Sequence, residues 1–147
     1  MEFLTDVKLA IYRTLAETTR APTVQEVAAQ LNANVDDVQQ AFHDLHKKRL
    51  LVPEPGDPTR IRMAPPFSGV PSSFKVIVGT KTYYAPCAWD SIGICAALHQ
   101  DGMVRTQDAH TREPMNVVVR DGMPKPTPCV VHFAVPAAHW WDDIIYT

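Results

Sequence analysis

The sequence predicts an α+β fold: an N-terminal three-helix, winged-helix-like unit, then a mixed α/β domain with an antiparallel-rich sheet and one main helix. Three observations carry this reading. Apolar residues recur at spacings of three and four through the first third of the chain. The period shortens to two from Phe74 onward, and in that second half only residues 88–99 return to a helical pattern.

Phe3, Leu4, Val7, Ala10, Ile11 and Leu15 draw one apolar stripe along a helix covering residues 2–16. Thr23 and Glu26 form a capping box, and Val24, Val27, Ala28 and Leu31 follow as the buried stripe of a second helix. Asn34 caps a third, with Val35, Val38, Ala41, Phe42 and Leu45 facing inward. It ends at Lys47-Lys48-Arg49, since cations are favoured at a helix carboxyl end. Residues 50–52 and 59–63 then read as strands around a turn rich in proline and glycine. Together these make the first domain, residues 1–64.

Pro65, Pro66, Gly69, Pro71, Ser72 and Ser73 read as a linker around Phe67, opening a second domain over residues 65–147. Residues 74–78 and 82–85 flank Gly79-Thr80-Lys81 as a hairpin. Residues 104–106, 116–120 and 129–135 are expected as further strands, and Pro124 to Pro128 as a surface connection.

Composition narrows the function classes. The chain has 147 residues, 46% of them apolar and 20% charged, which is ordinary for a folding sequence. No apolar run approaches the roughly 20 residues that cross a bilayer, and the first residues lack a basic-then-apolar layout, so a cytoplasmic protein without membrane partners is expected. Three cysteines without framework spacing point to free thiols. Net charge is −2, and both halves are slightly acidic: eight Lys/Arg against nine Asp/Glu up to residue 64, six against seven after it. The third helix presents Asp36 and Asp37 where phosphates would arrive, which argues against nucleic acid. A structural or dimerising role for the helical unit is expected instead, with a homodimer as the assembly it allows.

The chemistry converges on Cys87. Pro86 offers no N–H and precedes it, so a helix starting at the cysteine would surround the sulfur with unpaired N–H groups that favour the thiolate. Asp90, three residues on, shares that helix face. Repulsion between the two and partial burial would raise at least one proton affinity. The bland alternative is a small buried cysteine beside a first-turn carboxylate. Zinc is not expected: Cys87, Cys95, Cys129, His110 and His132 are ligand types, but there is no Cys-x-x-Cys, and Cys129 and His132 on one strand would face opposite ways. Trp140-Trp141-Asp142-Asp143-Ile144-Ile145-Tyr146 reads as a packed cap over the core; alternatively Trp141 or Trp89 walls a pocket over Cys87.

Tyr84-Ala85-Pro86-Cys87-Ala88-Trp89-Asp90, followed by Ser91-Ile92-Gly93-Ile94, resembles the alkylmercury lyase family, as do Phe67-Ser68-Gly69-Val70-Pro71 and Val131-His132-Phe133. The resemblance spans roughly the second half and implies protonolytic cleavage of a carbon–mercury, or other carbon–metal, bond. It implies Cys87 as the thiolate, a second cysteine completing the pair, and Asp90 delivering a proton to the leaving carbon. Mercury is soft and prefers thiolates, and sulfur donation weakens the metal–carbon bond until an acid can protonate carbon.

The sequence departs from the family at one point. Aligning Val131-His132-Phe133 puts Pro128 where the second cysteine belongs, with Cys129 one residue later and facing the other way unless Pro128 makes a bulge. Cys95 is a poorer substitute, since eight residues along a helix span roughly 12 Å. The expected site is therefore Cys87 and Asp90 as catalytic groups, Cys129, Tyr84 and Trp89 around the substrate, and Cys87 with Cys129 holding the metal. No cofactor is required: mercury or another soft metal belongs to substrate and product, and a low-molecular-weight thiol serves as co-reductant for product release. The alternative is a non-catalytic soft-metal or organometal binder, a sensor or scavenger.

Overall fold

The structure, a computed structural model, describes residues 2–146. The three apolar stripes form α1 (Glu2–Thr18), α2 (Val24–Leu31) and α3 (Val35–Lys47). Val7, Ile11 and Leu15 of the first, Val24 and Val27 of the second, and Val38 and Leu45 of the third are buried in one cluster. Local chemistry fixes where the helices begin. Thr23 accepts the Glu26 N–H at 3.2 Å while Glu26 accepts the Thr23 N–H at 2.7 Å, so two otherwise unpaired donors are satisfied reciprocally. Arg20 forks onto the same carboxylate at 2.7 and 2.9 Å, and with the Thr23 N–H it holds the Glu26 pKa down to about 2. Asn34 accepts the Asp36 N–H at 2.8 Å and starts α3.

A first antiparallel sheet follows, in the order β1 (Val52–Glu54), β2 (Asp57–Ala64), β3 (Phe67–Ser68). The last of these corrects the expected linker: Phe67 and Ser68 pair with Ala64 and Met63. The physical reason is the aromatic ring. Phe67 is buried, edge-on to Tyr12 at 6.4 Å and tilted on Tyr83 at 5.6 Å, and this burial outweighs the turn-forming residues around it. Gly69 is required just beyond, because a Cβ there would collide with the Ile61 carbonyl.

The second sheet has the order β5-β4-β6-β7-β8, built from β4 (Phe74–Val78), β5 (Lys81–Ala85), β6 (Gly102–Gln107), β7 (Pro114–Arg120) and β8 (Met123–Pro124), all antiparallel. The helix α4 (Ala88–Leu98) packs on it through Ile94 and Cys95. The two sheets share one core, running from Val7 to Val119. The second sheet is also tied to α1 by hydrogen bonds: Tyr83 Oη and Lys81 Nζ donate to the Ala16 carbonyl at 2.6 and 3.1 Å. That carbonyl belongs to the last turn of α1, where helix acceptors lack backbone partners, so the second sheet completes the first helix.

Two expectations fail near the carboxyl end. Residues 129–135 form no strand, and β8 (Met123–Pro124) takes in Pro124, the first residue of the expected surface connection. Pro124, Pro126, Pro128 and Pro136 each remove a ladder donor, so the sheet stops at Pro124. The chain leaves it as an irregular strap, then makes a short 3-10 turn at Ala137–His139.

Candidate active site

Cys87 is the N-cap of α4, with extended backbone (φ −148°, ψ 174°), and its sulfur accepts the Asp90 N–H at 3.5 Å. The Cys87 carbonyl accepts the Ser91 N–H at 3.0 Å, and buried Ser91 donates to the Ala88 carbonyl at 2.6 Å, which locks the first turn. Cys87 and Asp90 are both half-buried. Burial pushes the Cys87 thiol above its ordinary pKa. The N–H groups of Asp90 and Trp89 pull it down, and the Asp90 carboxylate adds to the rise. The expected stabilisation of the thiolate is thus corrected: the helix-start N–H groups are present, but desolvation outweighs them. Burial also raises the Asp90 carboxyl, against a lowering hydrogen bond with Cys87. Tyr12 of α1 stands close enough that Asp90's charge, after burial, raises its phenol, while its hydroxyl donates to the Pro65 carbonyl at 2.9 Å.

Two cavities meet at Cys87. One, of about 290 Å³, is lined by Cys87, Trp89 and Asp90 from α4 and its cap and also by Arg49, Trp141 and Ile144. The other, of about 390 Å³, is lined by Cys87, Phe74 and the strap residues Val131 and His132. Phe133, Trp140 and Tyr146 wall both. The carboxyl-terminal segment is therefore a pocket wall over the sulfur as well as a packed cap. Trp140 is anchored by its indole N–H on the Val135 carbonyl at 2.8 Å and packs on Phe133 at 5.1 Å.

The other expected residues are placed unequally. Trp89, 60% exposed, lines the 290 Å³ cavity with Cys87 and also a third cavity of about 580 Å³. Cys129 lines that third cavity, not the two at Cys87, and its sulfur accepts the Thr127 hydroxyl at 3.0 Å. Tyr84 lies in β5 opposite Lys75, on the sheet face away from buried Tyr83, and lines none of these three cavities. Cys95 is buried inside α4 at 2% exposure. Among the described residues no three His, Cys, Asp or Glu side chains gather as a metal-holding group.

Sequence reasoning misses Tyr12, Arg49, Phe133 and Tyr146 as neighbours of the site. Arg49 carries the one available signal, a cation just past α3, but dipole logic explains it without a cavity. Its backbone is left-handed (φ 60°), and its guanidinium carbon lies 5.9 Å from the Trp141 ring centre.

Residues 67–147 match the family model described as alkylmercury lyase. The chain belongs to the alkylmercury lyase family. The matched span contains Cys87, Asp90, Cys129 and the whole strap, whereas Tyr12 and Arg49 come from the helical unit before it. The chain is also similar to a solved structure titled "Crystal structure of the mercury-bound form of MerB2". The TM-score is 0.60 at 24% identity, covering 84% of this chain and 68% of that one, so the fold is shared beyond the matched span. No curated protein matches the chain. None of its helices among the described residues is long and apolar enough to cross a membrane.

Proposed function

We propose that this alkylmercury lyase family member cleaves an organomercurial by protonolysis, with Cys87 taking the mercury and Asp90 protonating the carbon. The observation that carries this is the pairing of Cys87 and Asp90 on one cavity wall, each with its proton affinity raised by burial. A carboxyl group made more basic by desolvation is a better acceptor for the thiol proton than an ordinary aspartate. When sulfur bonds mercury, the thiol proton passes to Asp90. Asp90 then delivers it to carbon as the carbon–mercury bond breaks, and the bond's electron pair becomes the new C–H bond. Hydrocarbon leaves and mercury remains on Cys87. Nothing is oxidised or reduced, so the small thiol serves as an exchange partner that lifts mercury off the sulfur. Aromatic walls suit an apolar leaving group.

The test is release of benzene from phenylmercury in the presence of excess small thiol, followed by gas chromatography. Wild type should release it and Cys87→Ser should not; equal, background-level release from both removes the proposal.

A second reading, a binder that holds the organometal without cleaving it, is favoured by a different observation: Cys87 is the one cysteine on its two cavities among the described residues. Native mass spectrometry separates them. A mercurial adduct that persists with its organic group intact supports the binder, and loss of that group supports the lyase.

A further inference from the structure

Cys87 alone gives mercury one sulfur where two are preferred. Cys129 lines a different cavity, where its sulfur accepts the Thr127 hydroxyl, and Cys95 is buried in α4, so neither lines the cavity that Cys87 shares with Arg49. Arg49 lines that same cavity, with its guanidinium over the Trp141 ring. The Arg49 N–H donates to the His46 carbonyl at 2.8 Å, closing α3 and fixing where the side chain departs. Among the described residues no carboxylate pairs with it. A guanidinium held over an aromatic face keeps its edge donors for a planar anion.

We propose that the second sulfur ligand of mercury at this site is the thiolate of a small, carboxylate-bearing thiol seated between Cys87 and Arg49. This rests on the reading that Cys87 takes the mercury. The reactant is then the thiolate adduct R–Hg–SR′. Cys87 sulfur adds to mercury and its proton goes to Asp90. Asp90 returns that proton to carbon, RH departs with the bonding pair in its new C–H bond, and Cys87–S–Hg–SR′ remains. A further R′SH exchanges onto mercury, giving Hg(SR′)₂ and restoring the Cys87 thiol. A carboxylate on the organic group would also suit Arg49. The thiol is the better occupant because sulfur is what the Cys87 side lacks.

The test uses the full chain with mercuric chloride, which has no organic group, and one equivalent of mercaptoacetate, read by native mass spectrometry. Wild type and Cys129→Ser should both carry mercury together with one thiol, and Cys87→Ser, Cys129→Ser should not. Serine is a good N-cap, so the Cys87 replacement keeps the start of α4. In competition with neutral 2-mercaptoethanol, mercaptoacetate should be retained about three- to fivefold better, the size of an exposed ion pair, and Arg49→Gln should remove the preference. Mercury bound to wild type without thiol, and with thiol only in Cys129→Ser, would make Cys129 the second ligand and overturn the proposal. Equal retention of the two thiols by wild type would overturn the part given to Arg49. Neither readout needs turnover, so a silent lyase assay would count against the proposed function alone.

Discussion

The Cys87 sulfur accepts the backbone N–H of Asp90 at 3.5 Å, so the residue whose carboxylate opposes the thiolate also helps to steady it. Asp90→Asn keeps the N–H and removes the charge. The variant's Cys87 should titrate lower and react faster with iodoacetamide near neutral pH, because a cause of the raised thiol pKa is gone. Carbon–mercury cleavage should fall by about 10²- to 10⁴-fold, the usual worth of a positioned acid. Alkylation rates against pH and hydrocarbon release should move in opposite directions; if neither moves, the two side chains do not communicate.

The same substitution has a stability signature. Burial raises the Asp90 carboxyl in the folded state, so the folded chain binds this proton more tightly than the unfolded chain does. The stabilising contribution is complete below the unfolded value of about 3.9 and is lost as pH rises through the folded value. At neutral pH wild type holds a partly desolvated carboxylate that Asp90→Asn lacks. Thermal unfolding should show the variant gaining on wild type as pH rises from about 4 to 7, with the gap closing again in acid.

What the sequence made legible follows the range of the interactions involved. The start of α2 is decided by Thr23 and Glu26, three residues apart, and α4 starts at Cys87 as the preceding proline suggests. Phe67 was hidden among prolines and glycines because its strand pairing is driven by Tyr12 and Tyr83, distant in sequence. The strap is obscured for the opposite reason: apolar Cys129 to Val135 resembles a strand locally, but the flanking prolines deny it a ladder. The wall that Arg49 and Trp141 build is a contact between residues 92 positions apart, and neither spacing nor composition announces it.

Cysteine labelling should rank the thiols by access. Cys87 and Cys129 are half-buried, whereas Cys95 is 2% exposed and has its thiol raised by burial and then by Asp101. Native protein should incorporate label at Cys87 and Cys129 well before Cys95, which should react only on unfolding. Peptide mapping after timed alkylation reads the order, and early label at Cys95 would place α4 off its sheet.

Tyr83→Phe isolates the tie between the second sheet and α1. The ring and its packing on Phe67 remain, and only the 2.6 Å bond to the Ala16 carbonyl is lost, with Lys81 still donating to it. Chemical denaturation should show a loss of about 1 kcal/mol, the net worth of one such bond. The transition should stay single if the shared core makes the two sheets unfold together.

Trp141→Ala tests the strap as a wall. The indole lines the 290 Å³ cavity together with Cys87 and carries Arg49 on its face. Removing it admits water to the sulfur, and since burial is the largest cause of the raised Cys87 pKa, the thiol should titrate lower and alkylate faster, as in Asp90→Asn. The two variants part at the carboxyl group. Asp90 remains in Trp141→Ala but is more hydrated, hence less basic and poorer at taking the thiol proton, so cleavage should slow without vanishing. The lost cation–π contact should cost about 0.5 to 1 kcal/mol of stability. Adding Asp90→Asn to Trp141→Ala should then speed alkylation less than Asp90→Asn does alone, because a hydrated site screens the charge that the second substitution removes. Fully additive effects on alkylation would mean that Trp141 does not shield the Cys87 and Asp90 pair from water.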